Sequence, residues 1–212
     1  TLTAAMLTDG GSQAKTIDEI NKAMFPMAAG FNAQVDKEMT RLSGQVHKDN
    51  LDAWYELVRG QLLFPAWSQQ DFQRIKQQVT NAIRTDLVAN NDEELGKEVL
   101  YTAIYADGHP YGSLTLGNTS DIESITLDDV KMFYDEYYTI ANMTVGLSGG
   151  YPESFPARVS NDLQKLDAGV KARMKDVRTD IQTGEFAERF IAEWGVSLGT
   201  DEFLRTFAGW PR

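Results

Sequence analysis

Cysteine is absent from the 212 residues. That excludes disulfides, thiolate zinc sites, iron–sulfur clusters and a cysteine nucleophile. It leaves the compartment open, because periplasm and cytoplasm suit a cysteine-free chain equally. Histidine is scarce, with two in all, and basic residues are outnumbered: 20 Lys and Arg against 31 Asp and Glu, a formal net charge of -11. Binding to a phosphate backbone needs clustered Lys and Arg to release counterions, so nucleic acid is excluded as a partner. Docking on anionic lipid fails for the same reason. No apolar run approaches the ~20 residues of a spanning helix, so the chain reads as soluble and not inserted in a membrane. The glycine-rich GLSGGYP lacks the Gly-Lys-Ser/Thr of a phosphate loop. A strand-end turn accounts for it.

What is present is a series of capped helices and a few strands. Thr1–Leu7 reads as a helix closed by Gly10-Gly11, where glycine supplies a left-handed cap. Thr16-Ile17-Asp18-Glu19 is a capping box, in which hydroxyl and carboxylate each satisfy a free backbone N–H. The helix it opens is expected to bury Ile17, Ile20, Met24 and Phe25. GFNAQVD and EMTRLSGQVH alternate weakly and read as two strands. Lys48–Phe64 is an amphipathic helix with Leu51, Trp54, Tyr55, Val58 and Leu62 on one face, stopped by Pro65. Ser68 with Asp71 caps the next, whose stripe is Phe72, Ile75, Val79, Ile83 and Leu87. A helix through Val99, Leu100 and Ile104 follows, then one capped by Thr126, a strand NMTVGLSGG and a helix in SFPARVSNDLQKL. The expected class is α+β: antiparallel helix pairs on one face of a mixed, mainly antiparallel sheet.

Five stretches in this order carry a resemblance. They are AMLTDGG, TIDEINKAMFPMAAGFNAQ, LDAWYELVRGQLLFPAWSQQDFQRIKQQVTNAI, HPYGSLTLG and ITLDDVKMFYDEYYTIANMTVGLSGG. Together, residues 1 to about 166 resemble a domain of the pitrilysin–insulysin (insulinase) metallopeptidase family. Active members of that family carry His-x-x-Glu-His on the helix that ends in this Met-Leu-x-x-Gly. Positions i and i+4 share a helix face, so two imidazoles hold one zinc ion, and the Glu between them acts as general base. A further Glu, from a later helix, completes the ligand set. The resemblance places the two His positions on Thr1 and Ala5, the Glu on Ala4, and the distal Glu on Asn81 or Ala82. None of these side chains can perform its counterpart's task. The resemblance therefore implies a domain with no catalytic residue and no metal ligand, whose only zinc would be one supplied by a partner half. Whether the protein acts as an enzyme is left open.

The family places strands and a short helix before AMLTDGG, which implies a domain that has lost its N-terminal strands, here spanning residues 1–168. Residues 169–212 are expected to be a helical appendage. Within it, 170–193 resembles the C-terminal helical segment of ketol-acid reductoisomerases, without that enzyme's nicotinamide fingerprint or metal carboxylates. In active members of the peptidase family an Asn-Ala strand pairs with the substrate backbone at the cleft edge. Strand addition needs only main-chain donors and acceptors, so Phe31, Asn32, Ala33, Gln34 and Val35 are the candidate peptide-binding edge. Asn32 and Ala33 match the family pattern, whereas Gln34 and Val35 depart from it. His47 and His109 are read as structural, the former as a cap and the latter in a turn. The implied function is a non-catalytic wall of a peptide-enclosing chamber, partnered by a homologous zinc-bearing half or subunit and by extended peptides. Two alternatives stand beside it: a structural or assembly subunit that handles no peptide, and a fragment of an active zinc metalloendopeptidase.

Overall fold

The computed structural model describes residues 1–105 and 108–167. Within them Thr1–Leu166 makes one compact unit. The 170–193 stretch lies outside the described residues. The elements run α1 (Leu2–Thr8), α2 (Ile17–Met24), β1 (Gly30–Val35), β2 (Thr40–Gln45), α3 (Leu51–Leu63), α4 (Gln69–Asn81), α5 (Asp92–Ile104), α6 (Thr119–Ser124) and α7 (Leu127–Tyr137). A last helix, α8, covers 155–167.

Local chemistry accounts for most of the boundaries. Thr16 and Glu19 form a reciprocal capping box at α2, and Thr126 and Asp129 form another at α7. Ser68 accepts the Asp71 N–H at the start of α4. The end of α1 is built differently from the expected left-handed glycine cap. Asp9 closes the helix with φ -108°, and neither Gly10 nor Gly11 has positive φ. Gly10 is required by proximity instead, because a Cβ there would sit 2.3 Å from the Met6 carbonyl oxygen. The orphan carbonyls that a helix end leaves behind find a donor across the fold. Gln61 Nε2, on α3, donates to the carbonyls of Thr8 and Gly10, both at 3.0 Å.

Three apolar clusters hold the unit together. The largest joins α1, α4, α6 and α7 through Leu2, Met6, Phe72, Ile75, Val79, Ile83, Ile122 and Val130. The second puts Ile20 and Met24 of α2 against Leu57 and Val58 of α3, with Phe31 of β1 packed on them. The third joins Tyr55 of α3 to Phe155 and Val159 of α8, with the two rings edge-to-face at 5.1 Å. Arg158 adds ion pairs to Asp52 and Glu56.

Three expectations are corrected. The mixed sheet reduces, among the described residues, to one antiparallel hairpin of β1 and β2. The expected strand NMTVGLSGG forms no regular element over 143–148 and pairs with no strand among the described residues. Alternation marks a pleated backbone, but a strand exists only where a neighbour satisfies its N–H and C=O groups. Phe25, expected in the core, is 86% exposed, because a short 3-10 turn, Phe25–Met27, takes over from α2 and swings the ring outward. On α5 the apolar residues Val99, Leu100 and Ile104 are 60%, 56% and 64% exposed. Amphipathic periodicity reports a face that wants cover and says nothing of whether cover is near.

Candidate functional site

Helices α1 and α4, the two that resemblance would make the zinc helices, do pack together through Leu2, Met6, Phe72, Ile75 and Val79. The side chains at the motif positions are otherwise employed. Thr1 Oγ1 donates to the Thr115 carbonyl at 2.7 Å. Ala4 is buried, 2% exposed, and Ala5 is half-buried against the large cluster. Asn81 accepts a bond from Gln77 on its own helix. Ala82 begins a wide π-turn, Ala82–Leu87. Methyl groups, a committed hydroxyl and a carboxamide do not fit a zinc ion. Among the described residues no group of three or more His, Cys, Asp or Glu could hold a metal ion. Both histidines serve local backbone: His47 Nδ1 accepts the Asp49 N–H and His109 Nδ1 the Tyr111 N–H.

The candidate edge, Phe31–Val35, lies in β1 and is held at both ends. Trp54 Nε1 donates to the Gly30 carbonyl at 3.1 Å. At the hairpin tip Lys37, its side chain 7% exposed, pairs with Glu98 Oε2 of α5 at 2.7 Å. It also donates to the Ser113 carbonyl and lies over the Tyr101 ring. Next to it Glu38 and the Tyr111 hydroxyl interact. The Glu38 charge, with burial, raises the tyrosine pKa. Gly44, opposite Phe31, has to be glycine, since a Cβ would come within 2.5 Å of both the Gly30 oxygen and Trp54.

The hairpin closure sets which main-chain groups face outward. Asp36 N–H donates to the Met39 carbonyl, so Asp36–Met39 is a hydrogen-bonded pair. Antiparallel pairs alternate. Gln34–Arg41, Asn32–Ser43 and Gly30–Gln45 are therefore also bonded pairs, given the register. The N–H and C=O groups of Phe31, Ala33 and Val35 consequently point away from β2. Among the described residues no other strand pairs with β1. Sequence reading named the strand but not this phase, which depends on the turn.

Beside the first half of β1 lies a half-open cavity of about 310 Å³. It is walled by Ile20, Met24, Phe25 and Phe31, with Asp9 and Gln61 among its polar lining. Gln61 is 1% exposed, and its Oε1 has no hydrogen-bond partner. Asp9 is exposed at the rim, yet the surrounding protein raises its carboxyl above the ordinary value while Arg74 pulls the other way. None of these three features was signalled by the sequence, since Asp9, Phe25 and Gln61 meet only in the fold. Gln61→Leu, which strips the donors from two carbonyls, is expected to lower unfolding free energy by about 2 kcal/mol. Urea titration of both chains measures this, and an unchanged midpoint would mean that the amide does not secure the end of α1.

No protein-family model matches the chain. Two ketol-acid reductoisomerases (NADP(+)), from Xanthomonas euvesicatoria pv. vesicatoria and Xanthomonas axonopodis pv. citri, are each 58% identical over 33 residues. That match takes in 16% of this chain and 10% of theirs. Among solved structures the chain is similar to the peptidase M16 inactive domain from Pseudomonas fluorescens, with TM-score 0.68 and 23% identity. The match covers 78% of this chain and 40% of that one. It is also similar to a protease from Helicobacter pylori, with TM-score 0.56 and 24% identity, over 67% of this chain and 35% of that one. The chain thus spans two fifths or less of the solved chains it resembles. Its described unit has the fold of an M16 peptidase domain, mostly helical with a two-stranded antiparallel hairpin.

Proposed function

We propose that this chain is a non-catalytic half of an M16-type peptidase assembly that receives an extended peptide along the free edge of β1. Zinc and bond cleavage belong, in this reading, to a homologous partner half that carries the metal-binding motif. The observation that carries it is the outward row of main-chain groups at Phe31, Ala33 and Val35, beside a strand clamped at both ends by Trp54 and Glu98. Such an edge captures a peptide backbone irrespective of most side chains, which is what a chamber wall requires. The likeness to a domain described as inactive supports the division of labour. The peptidase-like domain is taken to end near residue 168, with 169–212 as its appendage.

A second reading has its own observation. Val99, Leu100 and Ile104 present an apolar helix face on α5, which favours an assembly subunit that handles no peptide. One substitution separates the two. Ala33→Pro removes an outward N–H without removing a bond to β2, and proline is tolerated at such a position. The chain is expected to bind a fluorescein-labelled unstructured peptide, detected by anisotropy, and Ala33→Pro to abolish that binding while the far-UV circular dichroism stays unchanged. If the wild-type chain binds no peptide, or the proline variant binds as well, the assembly reading prevails. Hydrolysis of a quenched peptide only after addition of a His-x-x-Glu-His homologue would locate the chemistry in the partner.

A further inference from the structure

The cavity beside β1 has the makings of a side-chain subsite. Its volume, about 310 Å³, stands at the small end of ligand pockets, suited to one residue rather than a cofactor. Two polar groups there lack partners. Gln61 spends both amide hydrogens on the Thr8 and Gly10 carbonyls, leaving Oε1 a buried acceptor without a donor. A buried acceptor of that kind calls for an explanation.

The Asp9 carboxylate makes no hydrogen bond or ion pair among the described residues. Arg74, the cation acting on it, is committed to the Asp71 carboxylate and to the Asp9 main-chain oxygen. The wall mixes the apolar Ile20, Met24 and Phe31 with the polar Thr8, Asn21 and Asn32. At the mouth stands Phe25, 86% exposed. A large ring so placed gains nothing from its own domain, but it offers a face to a cation.

An unpaired carboxylate and a free ring at the rim of a cavity with apolar side chains in its wall describe a ligand with an apolar stem and a flat cationic head. Arginine has that form. Lysine shares the stem but carries a compact ammonium with no fork of donors. An acidic head would be repelled by Asp9, and a neutral amide would leave its charge uncompensated. The chain's net charge of -11 draws basic peptides toward it at long range.

We propose that this cavity is a specificity subsite that admits an arginine side chain of the peptide lying along β1. The guanidinium pairs with Asp9 and lies against Phe25. The proposal rests on the reading of β1 as a peptide edge and adds a residue preference to it.

The test uses the full chain and one unstructured peptide in four versions, carrying Arg, citrulline, Lys or Leu at a central position. Citrulline keeps the shape of arginine without the charge. Arginine is expected to bind about tenfold or more tightly than citrulline, in line with hydrogen bonds to a charged group. Asp9→Asn is expected to erase that difference by weakening the arginine peptide most, and Phe25→Ala to weaken the arginine peptide several-fold. If arginine and citrulline bind alike while Ala33→Pro still abolishes both, the subsite is refuted and the edge survives. If Ala33→Pro leaves binding unchanged, or no version binds, the edge reading fails and the subsite with it.

Discussion

Glutamate at position 4 unfolds the N-terminal unit instead of arming it. Ala4 occupies the position where resemblance to active metallopeptidases would place the general base, so Ala4→Glu is the obvious first step in reviving a zinc motif. Ala4 is only 2% exposed, between the buried Leu2, Thr3, Met6 and Leu7 of the same helix. A longer side chain there overpacks the interior, at a cost of about 1–3 kcal/mol. A buried carboxylate adds several kcal/mol more unless it is protonated or paired. Set against a total stability of roughly 5–15 kcal/mol, the sum removes most of the margin. Circular dichroism on heating is expected to show a Tm lowered by more than about 10 °C, or no cooperative transition at all. The triple change Thr1→His, Ala4→Glu, Ala5→His is expected to fail in the same way. If Ala4→Glu melts like the parent, position 4 opens to water and the motif position remains fit for chemistry.

The other large effect is expected at Phe72. Its ring is 1% exposed at the centre of the cluster that joins α1, α4, α6 and α7. Lys76, one turn on, lies over the ring and donates to the Glu123 and Ile125 carbonyls at 2.8 Å. The same ring thus supports the stem of a residue that ties α4 to α6. Phe→Ala at a buried site costs about 3–5 kcal/mol through lost transfer free energy and the cavity left behind. For a unit of this size that corresponds to a drop in Tm of roughly 8–16 °C. Scanning calorimetry measures it directly, and a shift below about 3 °C would show that the cluster does not hold the two helices together.

Much of this was legible along the chain because it is local. The Thr16–Glu19 and Thr126–Asp129 capping boxes use atoms three residues apart. The stripe of Phe72, Ile75, Val79, Ile83 and Leu87 follows helical spacing, and all but Leu87, which is half-buried, are buried. The alanines at positions 4 and 5, where the resemblance would place a general base and a ligand, were equally readable, since side-chain chemistry alone disqualifies alanine from either task. What failed was non-local. Phe25 has the composition of a core residue and faces water, because the turn after α2 sets its direction. NMTVGLSGG has the look of a strand, yet the described fold brings it no neighbour with which to exchange hydrogen bonds.

The amino-acid sequence alone determined which segments coil and where they start, for those depend on neighbours in the chain. Only the tertiary structure decided the outward phase of the Phe31, Ala33 and Val35 main-chain groups and the meeting of Asp9, Phe25 and Gln61 around one cavity. The reason is physical. Hydrogen-bond phase follows from how a turn closes, and an unsatisfied acceptor becomes one only after folding has removed water from around it.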